Sequence, residues 1–102
     1  MSKFKFELPA PQDSASVYSK IKNFLSGEND FKKFDPKVAC TFDEPNKTCN
    51  VIGSQFTANM QIVPKDTTSS RIVVEVELPI ALSFFKGKIQ ETIEKNLNKL
   101  LT

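Results

Sequence analysis

The last third of the chain changes its hydrophobic period once, and that change limits the folds open to it. From Arg71 the sequence reads RIVVEVELPIALSFFKGKIQETIEKNLNKLLT. Ile72, Val74, Val76 and Leu78 alternate with Arg71, Val73, Glu75 and Glu77, the two-residue repeat of a strand with one buried face. Pro79 closes that strand, because it cannot donate to a ladder. Beyond it Phe85, Ile89, Ile93 and Leu97 recur every four residues, with Leu82 before them and Leu100 and Leu101 after. This is the stripe of an amphipathic helix of about four turns. A half-wet strand followed by a one-sided helix satisfies both patterns when the helix lies on the sheet.

The same alternation recurs upstream. KFKFEL sets Phe4, Phe6 and Leu8 on one face and Lys3, Lys5 and Glu7 on the other, and the prolines of PAPQD end it. Asp13 or Ser14 can cap a helix over about Ser14–Ser26, whose stripe is Val17, Tyr18, Ile21, Phe24 and Leu25. Gly27 is expected to stop it in a left-handed conformation. A connection follows, in which Phe31 and Phe34 are expected to tuck against the sheet edge. KVACTF and TCNVIG read as strands joined by the turn DEPNK, with Gly53 and Ser54 marking a tight turn or bulge. QFTANMQIV alternates most cleanly, with Phe56, Ala58, Met60 and Ile62 on one face. The order is β-α-β-β-β-β-α. Short links between the later strands imply an antiparallel meander. The expected class is α+β, one antiparallel sheet with two helices on one face, in a single domain over residues 1–102.

Composition narrows the chemistry. There is no His among the 102 residues, which removes the usual base near neutral pH and the commonest metal ligand. Any triad containing His is excluded. Two Cys without His make a zinc site unfavourable, and three scattered Gly build no phosphate-cradling loop. Glu75 and Glu77 share a strand face, but nothing else converges on them, so they read as solubilising charges. No catalytic residue, cofactor or metal is expected. A net charge of +2 with evenly spread lysines argues against nucleic acid. The start MSKFKFELPAP has no apolar core of a signal peptide, and no apolar run approaches the ~18 residues of a membrane span. The expectation is a cytoplasmic protein without a transmembrane segment. There Cys40 and Cys49 would be reduced and buried, although their places on either side of TFDEPNKT also allow a disulfide.

One segment holds more apolar residues than a single face can use. Ile80, Leu82, Phe84 and Phe85, followed by Lys86 and Lys88 around Gly87, form a candidate partner surface with a basic rim. A second candidate is a cavity between sheet and helix lined by Phe56, Met60, Val74, Val76, Ile89 and Ile93.

The run RIVVEVELPIALSFFKGKIQETIEKNLNKLL resembles the C-terminal signature of the small polyhydroxyalkanoic acid system proteins, also described as polyhydroxyalkanoate granule-region proteins. The step Phe85-Lys86-Gly87-Lys88-Ile89 carries the likeness, and CNVIGSQFTANMQI, with Gly53, is similar to the family's hairpin. Phe42 stands where that family often has Trp, and the first half is rich in Lys and Phe rather than Arg. The resemblance implies a non-catalytic accessory protein of polyester storage, binding a granule surface or a granule-associated protein. The element order also resembles a shortened helix-grip fold, which implies the alternative of a small hydrophobic-ligand-binding module. A homodimeric scaffold, paired through KFKFEL or through Phe84 and Phe85, is the third expectation.

Overall fold

The computed structural model describes residues 2–27 and 30–101, and at Asp30 and Phe34 the backbone alone. The elements run β1 (Ser2–Ala10), α1 (Ser14–Ser26), α2 (Asp30–Phe34), β2 (Ala39–Asp43), β3 (Thr48–Ile52), β4 (Thr57–Pro64), β5 (Ser70–Leu78), a 3-10 turn (Ile80–Phe85) and α3 (Lys86–Leu101). The five strands form one antiparallel sheet in the order β1-β5-β4-β3-β2, so the first strand lies beside the last.

Register follows the apolar alternation. Phe4 faces Val76, Phe6 faces Val74 and Leu8 faces Ile72 across β1 and β5. Met60 faces Val74 and Ile62 faces Ile72 across β4 and β5. A slip of one residue would turn all of these to solvent, which is why the pattern fixes the pairing. The opposite face is polar. Lys3 reaches both Glu75 and Glu77, at 3.6 and 3.2 Å, so that carboxylate pair is spanned by a cation rather than left open. Asn59 donates to the Asn50 side chain across β3 and β4 at 2.6 Å.

Both long helices cover the apolar face. Asp13 caps α1, its carboxylate accepting from the Ser16 amide at 3.1 Å and the Ser16 hydroxyl at 2.7 Å. Val17, Tyr18, Ile21 and Leu25 are its buried stripe, and Ile89, Ile93, Leu97 and Leu101 are that of α3. Each such side chain contributes about 1.5–3 kcal/mol on full burial. One cluster joins them to Met60, Val74 and Val76 of the sheet.

Three expectations need correction. Gly27 ends α1 with φ −99° and ψ −168°, an extended conformation, so its freedom to be left-handed is not used. The connection after it contains the short helix α2. Phe85 does not begin the α3 stripe; it lies in the 3-10 turn and is 39% exposed. Phe31 is buried as expected, whereas the Phe34 side chain lies outside the described residues. Among the described residues no helix is long and apolar enough to cross a membrane.

Candidate functional site

The joint between β5 and α3 is built by the proline. Leu78 ends the inward face of β5, and Pro79 turns the chain into a 3-10 helix whose first bond runs from the Leu82 amide to the Pro79 carbonyl at 2.9 Å. In a 3-10 helix residues three apart eclipse one another. Leu82 and Phe85 therefore share a side, and both face a cleft of ≈ 240 Å³. Phe56, Leu78 and Ile89 complete its apolar lining. Asp35, Pro36, Ser54 and Gln55 form the rest of its wall.

Asp35 organises that wall. It follows α2 and is 5% exposed. One carboxylate oxygen accepts from the Ser54 amide at 2.6 Å and the Ser54 hydroxyl at 2.9 Å, and the other accepts from the Lys37 amide at 3.0 Å. Burial alone would push this carboxyl up, but the hydrogen bonds from Lys37, Ser54 and Gln55 outweigh it and hold the group below its ordinary value. The approach requires Gly53, where a Cβ would stand 2.6 Å from Asp35 Oδ2 and 2.9 Å from Phe56 Cε1. The Gly53 amide closes the β3–β4 turn on the Phe56 carbonyl at 2.8 Å. An aspartate so engaged is a weak base, and its chemistry is that of a fixed anchor.

The two sets of candidate residues separate in space. Of the proposed cavity lining, Phe56 and Ile89 reach the cleft. Met60, Val74, Val76 and Ile93 are fully buried in the core cluster and do not line the cleft. Of the proposed partner surface, Leu82 and Phe85 line the cleft, while Ile80 and Phe84 are 72% and 75% exposed. Phe84 leans on Phe85 with ring centroids 4.3 Å apart. Lys86 and Lys88 open α3 immediately after them.

Asp35, Ser54 and Leu78 enter the site without having been singled out for it. Gly53 was the visible trace, since a glycine before a polar turn marks a close approach. Cys40 and Cys49 are free thiols, opposite Val51 and Phe42 and thus diagonal to one another. Burial pushes the Cys49 thiol up to about 11, which makes it an inert core group. Among the described residues no group of three or more Cys, Asp or Glu could hold a metal ion.

No family model matches the sequence, and no curated protein does. Solved structures do match the fold. The di-domain ARO/CYC protein BexL of the BE-7585A biosynthetic pathway superposes with a TM-score of 0.74 at 7% identity over 99% of this chain, which spans 45% of that protein. A START superfamily protein from Mycobacterium smegmatis gives 0.64 at 12% identity, covering 97% of this chain and 96% of that one. A Thalictrum flavum norcoclaurine synthase point mutant, in complex with a transition state analogue, gives 0.58 at 8% identity over 98% of this chain and 93% of that one. At such identities the likeness concerns the fold alone, a single antiparallel sheet gripped by a C-terminal helix, the helix-grip arrangement.

Proposed function

We propose that the chain is a small non-catalytic module that binds an apolar ligand, with the cleft at the start of α3 as its site. The observation that carries this reading is the cleft itself, an apolar lining of Phe56, Leu78, Leu82, Phe85 and Ile89 with polar groups gathered on one wall. That is the make-up of a small-molecule site, one apolar surface with a few polar groups to orient the guest. Its ≈ 240 Å³ lies just below the ~300–1,000 Å³ of typical ligand pockets, which suits a small ligand or one end of a longer one. A protein of the same fold holds a transition state analogue, which adds support. Support for the non-catalytic part of the proposal comes from Asp35, the one acidic group of the cleft wall, whose oxygens are engaged by Ser54 and Lys37. A role in polyester storage is a separate proposal, to which none of the comparisons lends support.

Titration with 8-anilinonaphthalene-1-sulfonate tests the site, followed by probe fluorescence and by amide NMR shifts. Shifts are expected at Ser54, Phe56, Leu82 and Ile89. Leu82→Trp should fill the cleft and abolish the shifts while leaving the fold intact. Undiminished binding by Leu82→Trp would sink the assignment.

A further inference from the structure

Ile80 and Phe84 stand on the sides of the 3-10 turn that face away from the cleft, 72% and 75% exposed, and add little to the core. Folding does not account for that placement. Nor does it account for Lys86 and Lys88, which occupy the first turn of α3, where no acidic residue stands, Glu91 lying one turn further along. A helix N-terminus carries positive partial charge, so cations there are mildly disfavoured. No salt bridge engages either lysine among the described residues. Exposed aromatic and aliphatic groups beside unpaired cations are disfavoured in water and favoured at an anionic surface with an apolar interior.

The size of the patch separates that partner from a second copy of the chain. At exposures of 72%, 75% and 39%, Ile80, Phe84 and Phe85 present roughly 350 Å² of surface, taking about 150–250 Å² for each whole side chain. A standard protein interface needs about 800 Å² from each partner. A bilayer sets no such minimum, because a few inserted side chains and nearby charges add up independently.

We propose that the turn Ile80–Phe85, with Lys86 and Lys88, docks on the surface of an anionic lipid bilayer. Ile80 and Phe84 enter the boundary between headgroups and acyl chains, and the two ammonium groups meet lipid phosphates. Leu82 and Phe85, on the other side of the same turn, line the cleft, so docking holds one wall of the cleft beside the membrane surface. The docking stands on the exposed turn; its use, loading the cleft from the bilayer, rests on the ligand-binding reading above.

Co-sedimentation with vesicles provides the test, using equimolar phosphatidylcholine and phosphatidylglycerol against phosphatidylcholine alone. The wild type should bind the anionic vesicles and bind the neutral ones far more weakly. Lys86→Gln/Lys88→Gln should weaken binding about 30-fold, at roughly fivefold for each lysine. Phe84→Ser should weaken it by about tenfold or more. Phe84 and Lys88 are exposed and Lys86 is half-buried, and amide spectra matching the wild type establish that both variants fold. Equal binding by wild type and variants, or no binding to anionic vesicles, overturns the docking. Light scattering that shows a dimer dispersed by Phe84→Ser overturns it in favour of a second copy. Titration with the naphthalene probe in the absence of vesicles separates the two readings. Probe binding without vesicle binding removes the docking alone, whereas vesicle binding without probe binding upholds the docking and removes the ligand site.

Discussion

The two ends of α3 are finished in opposite ways. At its C-terminal end Leu101 is buried and its carbonyl accepts from Gln12 Nε2 at 2.9 Å. Ser70, 1% exposed, in turn donates its hydroxyl to the Gln12 carbonyl at 2.6 Å. The loop after β1, the start of β5 and the end of α3 are thereby tied together. At the N-terminal end none of the six residues of the 3-10 turn is buried, and a cleft lies beneath it. Both ends are rich in apolar side chains. The closed end spends them, with its hydrogen bonds, on a fixed junction, while the open end leaves them unpaired. Apolar content therefore does not distinguish a stabilising region from a binding one; whether the apolar side chains at the helix end are themselves buried does.

The sharpest way to break this comparison is to cut the same helix at both ends. Leu97→Ala, in the packed half, should cost about 2–5 kcal/mol, and Ile89→Ala, beside the cleft, clearly less. Urea unfolding of both variants checks this, and equal losses would mean the open end is packed after all. Gly53→Ala should cost about 1–3 kcal/mol, because its methyl group would collide with Asp35 and the Phe56 ring. The same unfolding curves report it.

Acid sharpens the contrast next. The folded Asp35 carboxyl lies below its ordinary 3.8, so its contribution is complete above that value and is lost as pH falls through the folded value. Asp35→Asn should be less stable than the wild type at pH 7, and the gap should narrow only as the pH falls below the ordinary 3.8. A gap that stays constant with pH would show that the carboxylate charge is not what holds Ser54. The smallest effect is expected at the turn, where Phe84→Ser should change stability by no more than about 0.5 kcal/mol. A larger loss in thermal unfolding would place Phe84 in the fold rather than on a surface kept for a partner.

Strand faces and the α3 stripe were legible because alternation reports directly which side of a sheet is buried. β5 keeps it throughout, and β4 as far as Ile62. Alternation does not report how far along a strand a residue sits. Met60, Val74 and Val76 share a face with Leu78, yet only Leu78 is near enough to the strand end to meet the cleft. The 3-10 turn was hidden for a related reason, since IALSFF has no period to read. α2, at five residues, is too short for a helical stripe to show. Asp35 was hidden because the hydroxyl it accepts from lies 19 residues away, on a loop with no pattern of its own.

The three-residue repeat of the turn makes its length matter more than its composition. Deleting or inserting one residue between Ile80 and Phe85 would rotate everything beyond it by about a third of a revolution. An insertion would turn Phe84 in towards the cleft and Phe85 to the side that Ile80 occupies, whereas a deletion would turn both rings away from the cleft. A substitution in this segment alters one contact, whereas a change of length reassigns every contact at once. Tolerance to substitution combined with intolerance to insertions is the mutational signature expected of Ile80–Phe85.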